Sequence, residues 1–220
     1  MPEDLTKPAK RLLEPMERIS EVLFGLIMVL TITCSFSVVE AGHREVRQML
    51  IAALGCNLAW GIIDAVFYLM TCFCERGQRI LTLRAVRDAT EPGRAHGIIA
   101  EALPPLLASI LSPAEFEIMR QKLRELPEPP TSPRLAKSDW IAAGGVFLIV
   151  FLSTFPVVIP FTIVHNPRLA LRVSNGVAVV MLFLTGYQFG RYAGHRPWRM
   201  GLSMVAVSGA LVGVTIALGG

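Results

Sequence analysis

Asp64 is the only carboxylate in an otherwise apolar run from about Met49 to Thr71, and Asn57 lies seven residues before it. In a helix, seven residues return to within about 20° of the same face, so both side chains share a stripe with Trp60 between them. An ionisable group in hydrocarbon costs at least about 2.5 to 3.5 kcal/mol, which marks Asp64 as a functional candidate. Carboxylate and amide oxygens on one stripe suit a hard divalent cation or a transferable proton. The plainer alternative is that Asp64 pairs with a neighbouring helix or stays protonated. Glu21 opens another apolar run and reads either as a further oxygen donor or as a carboxylate snorkelling into the headgroups. After Asp139 no carboxylate occurs, so the later segments offer only hydroxyls, amides and carbonyls, notably at Ser153, Thr154, Ser174 and Asn175, plus the Met181 thioether.

The elements that must hold these groups follow from composition. Of 220 residues, 53% are apolar and 17% charged, and mean hydropathy is +0.53. Residues 21–72 and 141–220 hold only 11 of the 38 Asp, Glu, Lys and Arg. That distribution excludes a water-soluble globule, a disordered chain and a nucleic-acid binder. Five runs approach the length of about 20 residues that a helix needs to cross a bilayer core. They run from about Glu21 to Val39, Met49 to Thr71, Trp140 to Val164, Val173 to Gly190, and Met200 to Leu218. The first is too long, and too acidic in its flank, for a cleaved signal peptide, so it reads as a retained helix. With the N-terminus in the cytosol, 17 Lys and Arg fall inside and 4 outside, which fixes the expected orientation and places the C-terminus outside.

The fold class expected is therefore all-α: a polytopic membrane protein with five transmembrane helices and a small helical cytosolic insert between the second and third. Its parts are a cytosolic segment 1–20, transmembrane helices over 21–72, the insert 73–138, and transmembrane helices over 139–220. In the insert, Ser112-Pro113-Ala114-Glu115 reads as a helix start with a reciprocal cap. Phe116, Met119, Leu123 and Leu126 then form an apolar stripe. An earlier helix is expected from about Glu75 to Ala89, with Ile80, Leu83 and Val86 on its apolar side. Pro104 and Pro105 break the stretch between, and Leu126–Pro133 reads as a stiff extended spacer. Pro156 and Pro160 are expected to kink the third transmembrane helix and free carbonyls. Gly209, Gly213 and Ala217 repeat every four residues, a pattern for close helix packing. Cys72 and Cys74 lack zinc-site spacing, and the histidines at 43, 96, 165 and 195 form no catalytic set, so no enzyme is expected.

The C-terminal third carries a family resemblance. Phe155-Pro156-Val157-Val158-Ile159-Pro160-Phe161, the run from Val173-Ser174 to Gly190-Arg191, and Gly194-His195-Arg196-Pro197-Trp198 with the helix that follows resemble the vacuolar iron transporter family of divalent-metal transporters. The resemblance implies a homodimer in a lipid bilayer that exports Fe²⁺ or Mn²⁺ from the cytosol against protons, with no bound cofactor and no nucleic-acid partner. It also implies a glutamate-bearing insert that collects metal, here with Glu101 and Glu117 as ligands beside Glu115, Glu125 and Glu128. Where the family's first helix has an acid before Gly-Leu, this chain has Phe24 before Gly25-Leu26, with Glu21 one turn earlier. The expectation is an inner-membrane transporter using Asp64, Asn57 and Glu21. The alternative is a non-transporting relative whose insert docks a protein partner.

Overall fold

The computed structural model describes residues 15–35 and 43–217. The expected segment ends at Val39 and Leu218, and most of the N-terminal segment, lie outside the described residues. Among those described, secondary structure is entirely helical: α1 (Pro15–Ser35), α2 (His43–Asp88), α3 (Pro92–Ala102), α4 (Pro105–Ile110), α5 (Pro113–Glu125), α6 (Lys137–Ser153), α7 (Phe155–Ile163), α8 (Pro167–Tyr192) and α9 (Pro197–Ala217). Helices α3, α4, α5, α8 and α9 each begin on a proline, whose fixed φ suits the first turn and whose missing N–H would lack an intrahelical partner there anyway.

Boundaries differ from the hydropathy reading, among them those of α2 and α8. The second transmembrane run and the helix expected at Glu75–Ala89 are one helix, α2, of 46 residues. No proline interrupts it until Pro92, and polarity alone does not end a helix. The fourth run, expected to start at Val173, begins at Pro167, because the Asn166 side chain accepts hydrogen bonds from the N–H groups of Arg168 (3.0 Å) and Leu169 (3.3 Å).

Among the described residues, four helices are long and apolar enough to cross a bilayer: Val46–Asp88, Lys137–Ile163 (α6 with α7), Pro167–Tyr192 and Pro197–Val214. In α1 the apolar stretch is the shorter Ile19–Thr33. The described residues form two compact units, an apolar one of 15–68 with 141–217 and a polar one of 69–140.

In the apolar unit, Leu26, Val29 and Leu30 of α1 pack with Val157 of α7 and Ala178 and Leu182 of α8. Its polarity is inverted relative to a soluble protein. Asn57, Thr154, Ser174 and Ser208 are buried, while Ile51, Ile62, Phe67, Val180, Leu202 and Val214 are exposed. Water selects against such an apolar surface and hydrocarbon selects for it.

Helices α8 and α9 approach through glycines. A Cβ at Gly186 would stand 2.9 Å from the Met200 carbonyl oxygen and 3.0 Å from Gly201 Cα, and one at Gly190 would stand 2.8 Å from Pro197 Cα. The expected packing face at Gly209 and Gly213 has no atom within 4 Å of an added Cβ, so within this chain the close contact is made one to three turns earlier in α9. Gly186→Ala should therefore destabilise the protein by about 1–3 kcal/mol, read by thermal unfolding in detergent, because Met204 Cγ (2.8 Å) can shift but the other two colliding atoms are backbone. Gly213→Ala should leave the midpoint unchanged.

In the polar unit, Val86, Ala89, Ala95 and Ile99 form the core, and Phe116, Met119 and Leu123 of the predicted stripe pack on it. The predicted cap is present: the Ser112 N–H and hydroxyl both donate to Glu115 Oε2 at 2.7 Å. These bonds hold the Glu115 carboxyl below its ordinary pKa.

Candidate functional site

The site is built on the interruption between α6 and α7. Proline at 156 has no N–H for the Leu152 carbonyl, and the helix breaks at Thr154, as the proline pair led us to expect. The polar groups of the last turn of α6 are met by side chains. Ser153 Oγ donates to the Val150 carbonyl (2.6 Å) and Thr154 Oγ1 to that of Phe151 (2.8 Å).

From α2, the Asn57 amide nitrogen reaches the same turn, donating to Val150 O (2.8 Å), Phe151 O (3.3 Å) and Thr154 Oγ1 (3.1 Å). Asn57 is fully buried, and this orientation leaves its carbonyl oxygen without a hydrogen-bond partner. That oxygen faces α1. A Cβ at Gly25 would lie 3.5 Å from Asn57 Oδ1 and 2.7 Å from Ser153 Oγ, so the glycine leaves the cluster its room.

Asp64 is half-buried two turns along α2, and its Oδ2 is likewise buried without a partner. Glu21 is half-buried on α1, four residues before Gly25 and so on the same helix face. Helices α1 and α2 also meet through Phe24 and Trp60, whose rings pack edge to face at 4.9 Å. The position where the resembled family has an acid is thus filled by an aromatic contact. Beside Asn57, the Cys56 thiol donates to the Met28 sulfur at 3.3 Å, a sulfur pair the sequence reading missed. No local sequence signal pointed to it, since Met28 and Cys56 lie 28 residues apart.

The insert glutamates belong to the chain's other unit. Glu101 is exposed on α3. Glu117 is engaged: Arg120 donates to it through Nε (2.8 Å) and Nη2 (2.6 Å), Gln121 at 3.1 Å, and His96 Nε2 lies 3.0 Å away. The Arg120 guanidinium, then His96, hold its carboxyl down at a pKa of about 2. Among the described residues, no group of three or more His, Cys, Asp and Glu is placed to hold a metal ion. Glu101 and Glu117, expected as metal ligands, belong to no such group among the described residues.

Long apolar helices with polar interiors and lipid-suited exteriors define an integral membrane protein. The VIT family's sequence profile matches residues 85–220, which is more than half of the chain, and the chain belongs to that family. It is a family of membrane metal-ion transporters. No curated protein matches the chain in sequence comparison.

Proposed function

We propose that this protein exports a divalent cation, Fe²⁺ or Mn²⁺, from the cytosol in exchange for protons, with Asp64, Asn57 and Glu21 as the intramembrane ligands. The observation that carries the reading is the pair of buried, unpartnered oxygens, Asn57 Oδ1 and Asp64 Oδ2. Buried acceptors are normally satisfied, and in hydrocarbon a bare one calls for a proton or a cation. Oxygen donors favour Fe²⁺ or Mn²⁺, and the neighbouring Met28–Cys56 sulfurs would favour the softer Fe²⁺ of the two. In this reading the chain is a homodimer in an inner membrane, with five transmembrane helices, a cytosolic N-terminus and insert, and an external C-terminus. The excess of Lys and Arg on the inner segments supports that orientation.

Flux into proteoliposomes under a proton gradient tests the reading. The parent should carry Fe²⁺ or Mn²⁺, and Asp64→Asn should fall to the level of protein-free vesicles, because the amide neither binds a transferable proton nor supplies charge. Absence of flux in the parent would remove the transporter reading and leave the insert as a docking module. Equal flux in both proteins would keep transport and exclude Asp64 from it.

A further inference from the structure

The spacer after α5 contributes to a cavity that metal transport does not explain. Three arginines of α2 hold it and the residue that follows it by their carbonyls: Arg87 Nη1 donates to Pro127 O (3.1 Å), Arg84 Nη2 to Pro130 O (2.7 Å) and Arg76 Nη1 to Arg134 O (2.7 Å). Between this stretch and α2 lies a cavity of about 330 Å³ whose polar lining comes from Arg76, Arg79, Thr131, Ser132 and Arg134. Among the described residues, no carboxylate lines it. Its volume is at the small end of ligand sites, which run from roughly 300 to 1,000 Å³.

The charges are unequally engaged. Arg76 is matched by the buried Asp139. Arg79 faces Glu75 at 3.4 Å, and both side chains are at least half exposed, so that pair contributes little. Arg134 is exposed, and its carbonyl rather than its guanidinium is used by Arg76. Arg79, Arg134, Thr131 and Ser132 thus line one opening, also walled by Ile80, Pro130 and Pro133, and carry the donor groups that a phosphate oxygen cluster needs.

The same unit locates the cavity relative to lipid. Met70 and Phe73 are exposed on α2, and Phe73 precedes Arg79 by six residues, about 9 Å along the helix. Trp140, next to Asp139, is 61% exposed. An exposed tryptophan beside an apolar surface belongs at the headgroup level.

We propose that the cavity bordered by Arg79, Arg134, Thr131 and Ser132 binds a phosphate group, that of an anionic phospholipid headgroup. The inference does not depend on which ion the protein carries. Basic groups at a membrane surface each add a several-fold preference for anionic lipid, so two should give about a 10- to 30-fold preference.

Native mass spectrometry of the full chain, titrated with phosphatidylglycerol or phosphatidylcholine after delipidation, reads this directly. The parent should retain phosphatidylglycerol preferentially, and Arg79→Gln with Arg134→Gln should lose the preference while keeping its helix content and unfolding midpoint in detergent. The Lys pair at the same positions should retain part of it. Equal retention in the parent and the Gln pair would overturn the proposal. Inorganic phosphate added in competition separates the sources: unchanged lipid retention supports the headgroup, whereas displacement at millimolar phosphate would make soluble phosphate the ligand and overturn the lipid assignment.

Discussion

Asp139→Asn should cost about 3–5 kcal/mol of stability, the range found when one partner of a buried ion pair is removed. Asp139 is 1% exposed, and its carboxylate meets Arg76 with both oxygens, Oδ1 to Nη2 at 2.9 Å and Oδ2 to Nη1 at 2.5 Å. Oδ2 also accepts the Ala136 N–H at 2.6 Å, which caps the first turn of α6. An asparagine retains one acceptor oxygen and no charge, so the guanidinium of Arg76, itself only 6% exposed, stays buried without compensation. Burial decides the size of the effect here, because an exposed pair such as Arg79 with Glu75 contributes at most about 1 kcal/mol. The check is chemical unfolding of the purified protein in detergent, with Arg76→Met/Asp139→Leu as the companion. Replacing both charges should recover most of the loss, since an apolar pair of similar volume carries no desolvation penalty. A single variant within about 1 kcal/mol of the parent would mean that water reaches the pair.

That pair illustrates which features were legible in the sequence. Arg76 and Asp139 lie 63 residues apart, and nothing in either neighbourhood names the other. Features governed by nearest neighbours were readable: the Ser112–Glu115 cap, the Phe116–Met119–Leu123 stripe, and the break that Pro156 imposes between α6 and α7. Hydropathy located lipid-facing surface but not helix ends, which is why α2 continues to Asp88 and α8 begins six residues before Val173. Glycine spacing suggested Gly209 and Gly213, whereas the actual approach uses Gly186, Gly190 and Gly201, because the crossing point depends on how α8 and α9 are joined at Pro197. In the candidate site, the shared stripe of Asn57 and Asp64 was visible. The partners of Asn57 were not, since they are two backbone carbonyls and the Thr154 hydroxyl at a break 93 to 97 residues later.

Those partners make Asn57 the position where a structural role and a ligand role give opposite results. Asn57→Leu removes three donor contacts and should cost about 2–3 kcal/mol. Hydrogen bonds between membrane helices average near 0.6 kcal/mol each, and the mismatched side chain adds a packing term. The loss is limited because Val150 O keeps Ser153 Oγ and Phe151 O keeps Thr154 Oγ1. Asn57→Asp is nearly isosteric, yet it should be the more damaging change, at about 3–5 kcal/mol. An ionised carboxylate cannot donate to Val150 O or Phe151 O, and it places a charge in the apolar phase at about 2.5–3.5 kcal/mol before any repulsion from those oxygens. If the value of Asn57 lay in its free oxygen alone, the Asn57→Asp protein would fold like the parent and bind a divalent cation at least as well. Unfolding midpoints in detergent, measured with and without Mn²⁺, separate the two roles. A large loss for Asn57→Asp with only partial recovery on adding metal is the expected outcome, because Nδ2 secures the broken helix and Oδ1 is presented to α1 as a consequence of that anchoring.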